Sequence, residues 1–113
     1  MRAVNTSSIA GLEGIVSAVS YSTVKAGATG MALPLAREFA RDGLRVLAIA
    51  PGFFQTPLAE TVNESAIKQF ISVVPILKGM GRLSEFAALV HYISENDILN
   101  GEVIRLDAAI QVS

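Results

Sequence analysis

The run from Leu44 to Ala50, Leu-Arg-Val-Leu-Ala-Ile-Ala, is apolar at every position but Arg45 and ends abruptly at Pro51-Gly52. Strict alternation of apolar and polar residues would mark a strand with one wet face, whereas an unbroken apolar run of strand length marks one covered on both. Helices on both faces of a parallel sheet bury strands in this way, so the expected class is α/β. Upstream, Ala3 to Ser8 is short and extended in character. Ser20 to Arg41 is rich in helix formers, with Ser17 or Ser20 as candidate N-cap and Asp42-Gly43 as the stop. The three segments predict one βαβ unit. Its helix should bend near Ala32 to Pro34, because proline removes a backbone donor. The Ile9-Ala-Gly-Leu-Glu-Gly14 stretch before the helix reads as a loop.

Downstream, residues 53–83 form a loop-rich segment and a candidate lid, with a helical patch from Glu64 to Val73 and glycines at 79 and 81. Ser84 is placed to cap a helix over Glu85 to Glu95. Asn100-Gly101 then turns into a last strand, Glu102 to Leu106. A chain of 113 residues supports one core and not two, so a single domain over residues 1–113 is expected.

Composition narrows the function. With 17% charged residues and a formal net charge of -1, nothing in the composition advertises nucleic acid, an acidic substrate or an anionic membrane as partner. No apolar run approaches the roughly 20 residues of a membrane span, and the start lacks the apolar centre of a signal peptide. A soluble intracellular protein is expected, cytoplasmic or mitochondrial. Without cysteine and with a single histidine, His91, no metal site is expected, and His91 is assigned a partly buried structural place. A mean hydropathy of +0.50 is high for so short a soluble chain and implies surface buried against something else.

Tyr21 and Lys25 stand four apart on the predicted helix and so share a face. A cation near a phenol favours the phenolate, which suits Tyr21 to proton transfer with Lys25 tuning it. A right-handed crossover brings the carboxyl ends of both strands and the amino end of the helix to one sheet edge, where open α/β folds bind ligands. Ser8, Tyr21 and the Pro51 loop converge there, with Ser8 offering a hydroxyl to a substrate oxygen. Taken singly, a Tyr–Lys pair is more often a solvated helix face, and Ser7 is a rival to Ser8. Gly27 and Gly30 allow another helix to come close.

Asn5-Thr-Ser-Ser-Ile-Ala-Gly11, then Tyr21-Ser-Thr-Val-Lys25 thirteen residues after Ser8, then Ala50-Pro-Gly-Phe-Phe-Gln-Thr-Pro-Leu58 occur in order. Together they resemble the catalytic half of the short-chain dehydrogenase/reductase family, and Leu99 to Ala109 resembles that family's last strand and tail. Within the family, the segments 33–40, 43–58 and 99–110 look closest to the branch of 3-hydroxyacyl-CoA dehydrogenases of type 2, also called type 10 hydroxysteroid dehydrogenases. The resemblance implies the C-terminal half of a doubly wound Rossmann-type parallel sheet, with the first nucleotide-binding half absent. It implies Ser8 as substrate-orienting hydroxyl, Tyr21 as general acid/base, and Lys25 as the group that tunes Tyr21 and holds the nicotinamide ribose. Pro51, Gly52, Phe54 and Thr56 would line the nicotinamide pocket, with backbone amides and the Thr56 hydroxyl as donors, and residues 53–83 would be the substrate loop. The implied cofactor is NAD, with NADP left open. The implied substrate is a secondary alcohol or ketone, either a 3-hydroxyacyl-CoA or a steroid-like alcohol. The helix bearing Gly27 and Gly30 would face a partner subunit in a homo-oligomer.

Two departures stand beside the match. No Gly-x-x-x-Gly-x-Gly occurs in the sequence, and Asp107-Ala-Ala stands where the family has two glycines after the aspartate. The missing glycine-rich turn would seat a pyrophosphate. The alternative expectation is therefore a non-catalytic piece that associates with a full-length relative or a complementing amino-terminal half.

Overall fold

Residues 46–50 expose 2% of their surface or less, as a strand with both faces covered requires. The computed structural model describes residues 1–56, 63–77 and 79–110. In chain order the elements are β1 (Arg2–Thr6), α1 (Ala10–Glu13), α2 (Val19–Gly30), α3 (Ala32–Glu38), a 3₁₀ turn (Ala40–Asp42), β2 (Arg45–Pro51), α4 (Glu64–Ser72), α5 (Leu83–Glu95) and β3 (Val103–Leu106). The strands form one parallel sheet in the order β1-β2-β3, with β1 in register from Arg2↔Arg45 to Thr6↔Ile49 and β3 from Ala48↔Val103 to Pro51↔Leu106. The α/β class and the βαβ unit expected from the sequence are present.

Side-chain alternation along β2 divides the core. Leu47 and Ile49 pack with Ile93 of α5, and Val4, Phe86, Leu89 and Ile104 close around them. The alternate residues, Val46, Ala48 and Ala50, face the side where α3 lies against β2 and buries Ala32 and Ala36. Small side chains on both partners let α3 approach closely. A second cluster joins Ile9, Val74 and Ile110, with Phe53 and Phe70 stacked at 4.6 Å against it. It ties the segment after β1, the end of α4 and the tail beyond β3 into one end of the molecule.

Several expected boundaries move. The single bent helix over Ser20 to Arg41 is two helices and a 3₁₀ turn, broken at Met31. Pro34 is the third residue of α3, in the first turn, where a missing backbone N–H costs no helical bond. Neither Ser17 nor Ser20 caps α2. Ala18 holds that position, Ser17 sits at φ 68°, and the Ser22 hydroxyl accepts from the Ile15 N–H at 3.3 Å. The expected loop over Ile9 to Gly14 contains the one-turn helix α1. Strand β1 stops at Thr6 and not Ser8, although the Ser7 N–H still donates to the Ile49 carbonyl at 2.8 Å. Strand β3 begins at Val103, with Glu102 reduced to accepting from the Ala48 N–H at 3.0 Å. Helix α5 begins at Leu83, and Arg82 takes the place expected of Ser84. There the Glu85 carboxylate reaches back to the Arg82 backbone N–H at 2.9 Å, as an acidic residue in the first turn does. Of the candidate lid, residues 57–62 and 78 lie outside the described residues. Its ends are pinned together by a parallel bridge between Phe54 and Gly81.

Arg45, the polar interruption in the apolar run, has a clear structural task. Its side chain is 14% exposed, and its guanidinium donates to the carbonyls of Asn96 at 3.1 Å, Leu99 at 2.9 Å, Ile93 at 3.0 Å and Ser94 at 3.4 Å. These carbonyls lie in the last turn of α5 and the turn after it, where those of Ile93 and Asn96 also accept from the Asn96 and Leu99 N–H groups, and the guanidinium adds a positive charge at the helix C-terminus. Arg45→Met is expected to lower stability by about 2–3 kcal/mol, because several charged hydrogen bonds to partly buried carbonyls are lost together. Urea unfolding measures this, and a loss below about 0.5 kcal/mol would contradict it. Glu85 gives a second prediction. The Arg82 backbone N–H first, and its guanidinium second, hold the Glu85 carboxyl below its ordinary value of 4.5. The contribution of the cap is thus whole above pH 4.5 and lost as pH falls through the lower folded-state value. Glu85→Gln should therefore lower Tm at neutral pH, with the gap to the parent closing in acid, as pH falls below 4.5 and through the lower folded-state value. A gap of constant size at both would remove the cap from the acid response.

Candidate active site

The end of β1 is fastened to the middle of α2 by Ser7. Its side chain, 1% exposed, donates to the Lys25 carbonyl at 2.9 Å and pairs with the Thr29 hydroxyl at 2.5 Å. A second fastening is made of backbone alone. A Cβ placed on Gly11 of α1 would stand 2.6 Å from the Lys25 carbonyl carbon and 2.8 Å from the Ala26 nitrogen, so only glycine lets α1 lie on α2 here. The two contacts set α2 at the sheet edge with Tyr21 and Lys25 turned toward the strand ends.

Lys25 Nζ donates to the carbonyl of Thr6, the last residue of β1, at 3.3 Å. It lies 5.7 Å from the centre of the Tyr21 ring. The ammonium therefore meets the face of the ring, a cation–π arrangement, and braces the strand end at the same time. Tyr21 remains 47% exposed. Ser8, 8% exposed, accepts from the Ala10 N–H at 3.1 Å, a bond that leaves its hydroxyl proton to donate. The rivalry between Ser7 and Ser8 has a physical outcome, since Ser7 spends its hydroxyl on α2 and Ser8 does not.

Ser8, Tyr21, Lys25, Pro51, Gly52, Phe54 and Thr56, the seven residues singled out in the sequence, all line one cavity of about 340 Å³ at the carboxyl ends of β1 and β2. Gly52 differs from expectation in one respect. Its N–H donates to the Leu106 carbonyl at 3.0 Å, and a Cβ there would stand 3.0 Å from Asp107 Cα. Gly52 therefore seats the loop on the end of β3 and has no amide to offer the cavity. Phe54 stands edge-on to Phe86, with ring centres 6.0 Å apart. The sequence reading missed Thr6, Leu83 and Phe86 as further lining residues. Leu83 and Phe86 open an amphipathic helix, and nothing in their spacing separates a cavity wall from ordinary core.

Beyond the cavity, His91 is not partly buried. Its ring is 73% exposed and pairs with Glu95 one turn on, at 3.1 Å. Gly27 and Gly30 meet no atom within 4 Å of a Cβ built on them, and α2 has no buried residue. Among the described residues no helix is long and apolar enough to cross a membrane.

The profile described as short chain dehydrogenase matches residues 2–67. The 3-hydroxyacyl-CoA dehydrogenase type-2 of Mus musculus is 49% identical over 109 residues, covering 96% of this chain and 42% of the mouse protein. The enzyme of the same name from Drosophila melanogaster is 41% identical, with 96% and 43% covered. The crystal structure of 3-hydroxyacyl-CoA dehydrogenase type-2 from Mycobacterium avium superposes with a TM-score of 0.91 at 39% identity, covering 99% of this chain and 43% of that one. The chain thus spans 42–43% of the length of these relatives. With a family profile over more than half its residues and a sheet that superposes on a solved relative, this chain belongs to the short-chain dehydrogenase family.

Proposed function

We propose that this chain carries the proton-transfer and nicotinamide-facing part of an NAD(H)-linked oxidoreductase that interconverts a secondary alcohol and a ketone, with a 3-hydroxyacyl-CoA as substrate. The observation that carries this reading is the meeting of Ser8, Tyr21, Lys25 and the loop from Pro51 to Thr56 around one cavity, from three separate stretches of chain. The names of the matched relatives support the choice of substrate.

Each residue has a role that its surroundings suit. The Ser8 hydroxyl holds the substrate oxygen and fixes its direction. Tyr21, half exposed beside it, passes a proton to or from that oxygen. Lys25, held by the Thr6 carbonyl against the Tyr21 ring, sets a positive charge where negative charge develops on oxygen. The cavity wall is mixed, with hydroxyls and an ammonium on one side and Pro51, Phe54 and Phe86 on the other. That chemistry fits a nicotinamide ring and its ribose, which Tyr21, Lys25, Pro51, Phe54 and Thr56 would hold. A cavity of about 340 Å³ suits part of a dinucleotide and not the whole. NAD, when bound, takes up or returns the hydride at the carbinol carbon.

A second reading has its own support, association with a full-length relative or a complementing half. The chain spans 42% of its mouse relative, and β1 lies at the outer edge of the described sheet. The open side of α2, with Val19 77% and Val24 68% exposed, suits association in either form, with that half or with a second copy. Mixing NAD and 3-hydroxybutyryl-CoA with the chain, alone and with the amino-terminal half of a type-2 relative, and following NADH formation tests both. Turnover is expected when the glycine-rich half is supplied, and Tyr21→Phe should lower it by at least about 100-fold. Near-normal turnover of Tyr21→Phe would sink the catalytic assignment. Turnover that never appears, with the halves bound to each other, would leave association as the function.

A further inference from the structure

Phe54 lines the site cavity and also a second, smaller cavity of about 60 Å³, and among the described residues it is the one common to the two. The second cavity is walled by Phe53, Val74, Leu77, Leu106 and Ile110. Two carboxylates stand at its margin, and both are already engaged. Glu85 is paired with Arg82 at 3.3 Å, and Asp107 accepts from the Arg105 Nε at 2.9 Å. Neither calls for a charged or polar occupant, and the other side chains on the wall among the described residues are hydrocarbon.

We propose that the Phe54 ring is a partition that limits the length of apolar group admitted beside Tyr21 and Ser8, and that the smaller cavity is a subsite for an alkyl chain which the ring closes off. This rests on the proposed function for the position of the reacting oxygen, and adds to it the element that selects the tail. The ring is held on two sides. On one, a Cβ at Gly81 would stand 2.6 Å from Phe54 Cε2 and 2.8 Å from Cδ2, so the ring lies flush on a glycine. The backbone fixes that glycine in turn, with the Gly81 N–H donating to the Phe53 carbonyl at 2.7 Å and the Gln55 N–H to the Gly81 carbonyl at 3.0 Å. On the other side Phe86 meets the ring edge-on. A ring clamped in this way is a wall and not a loose side chain.

A space of about 60 Å³ is several times the ~10–15 Å³ that a single water needs, enough for a few methylene groups. Each methylene taken from water into hydrocarbon is worth about fourfold in affinity, equivalent to about 0.8 kcal/mol. The partition therefore predicts that lengthening the tail gains nothing until the ring is removed.

The test is a titration of the isotope-labelled 113-residue chain with 2-butanol, 2-pentanol and 2-hexanol, following backbone amide shifts, in the parent and in Phe54→Ala. Phe54→Leu serves as a milder variant should alanine unfold the loop. The parent should bind the three alcohols within about twofold of one another, and the Phe54 variants should gain about fourfold per added methylene, with new shifts at Val74 and Leu77. A parent that already gains with length, or folded Phe54 variants with a flat series, overturns the partition. The proposed function is read separately in the same spectra. If Ser8 and Tyr21 respond while the variant series is flat, only the partition is wrong. If the series steepens while Ser8 and Tyr21 stay unmoved, the tail subsite stands and the assignment of the reacting site fails.

Discussion

The placement of every candidate catalytic group depends on how α2 is held against the end of β1. Ser7 is buried there with its hydroxyl bonded to the Lys25 carbonyl and the Thr29 hydroxyl. A buried hydroxyl without partners costs about 1–3 kcal/mol, so this small polar contact resists any sliding of the helix along the strand. Gly11 adds a steric condition, because the backbone of α1 rests on the backbone of Lys25 and Ala26 with no room for a side chain. The hydroxyl sets where along α2 the strand docks, and the glycine sets how close the neighbouring turn can come. Tyr21 and Lys25 inherit their places from both.

A comparable division of labour holds the opposite wall. Leu47 and Ile49 draw α5 onto the sheet through Ile93, and Arg45 binds the carbonyls at its far end. The near end starts at Leu83, one turn before Phe86, which brings an apolar edge to the cavity and to Phe54. Hydrocarbon contact supplies most of the stability here and directed bonds supply the position. The result is a cavity with hydroxyls and an ammonium on the α2 side and aromatic rings on the α5 side.

Much of this was legible in the sequence, for reasons that differ by residue. The run from Leu44 to Ala50 announces a doubly covered strand because hydrophobic burial leaves a composition signal that needs no tertiary knowledge. Of the candidate site residues, Ser8, Tyr21 and Lys25 are legible from helix spacing and the converging strand ends, whereas Pro51, Gly52, Phe54 and Thr56 are named by the resemblance to the family. Legibility failed where a tertiary partner decides. Whether Ser17, Ser20 or Ala18 begins α2 depends on the loop before it, and the choice of Arg82 over Ser84 depends on Glu85 reaching back. The helical character of Ser20 to Arg41 is legible but its division into two helices and a 3₁₀ turn is not, because Pro34 permits a bend or a fresh start equally well. His91 reads as partly buried because its neighbours in sequence are apolar, yet its own side of the helix meets solvent and Glu95. Gly52 matched a motif for one reason and is required for another, the close approach of Asp107.

Assignment of the 340 Å³ cavity to the nicotinamide end of a dinucleotide is tested most directly by mapping reduced nicotinamide mononucleotide onto the chain through its backbone amide shifts. That ligand carries the ring and ribose without the adenosine half, so it needs no glycine-rich turn. Shifts gathered at Ser8, Tyr21, Lys25, Phe54 and Thr56, saturating together with one dissociation constant, are the predicted result. Shifts centred instead on the open side of α2 at Val24 and Gly27, or none at any concentration while the chain remains folded, would contradict it.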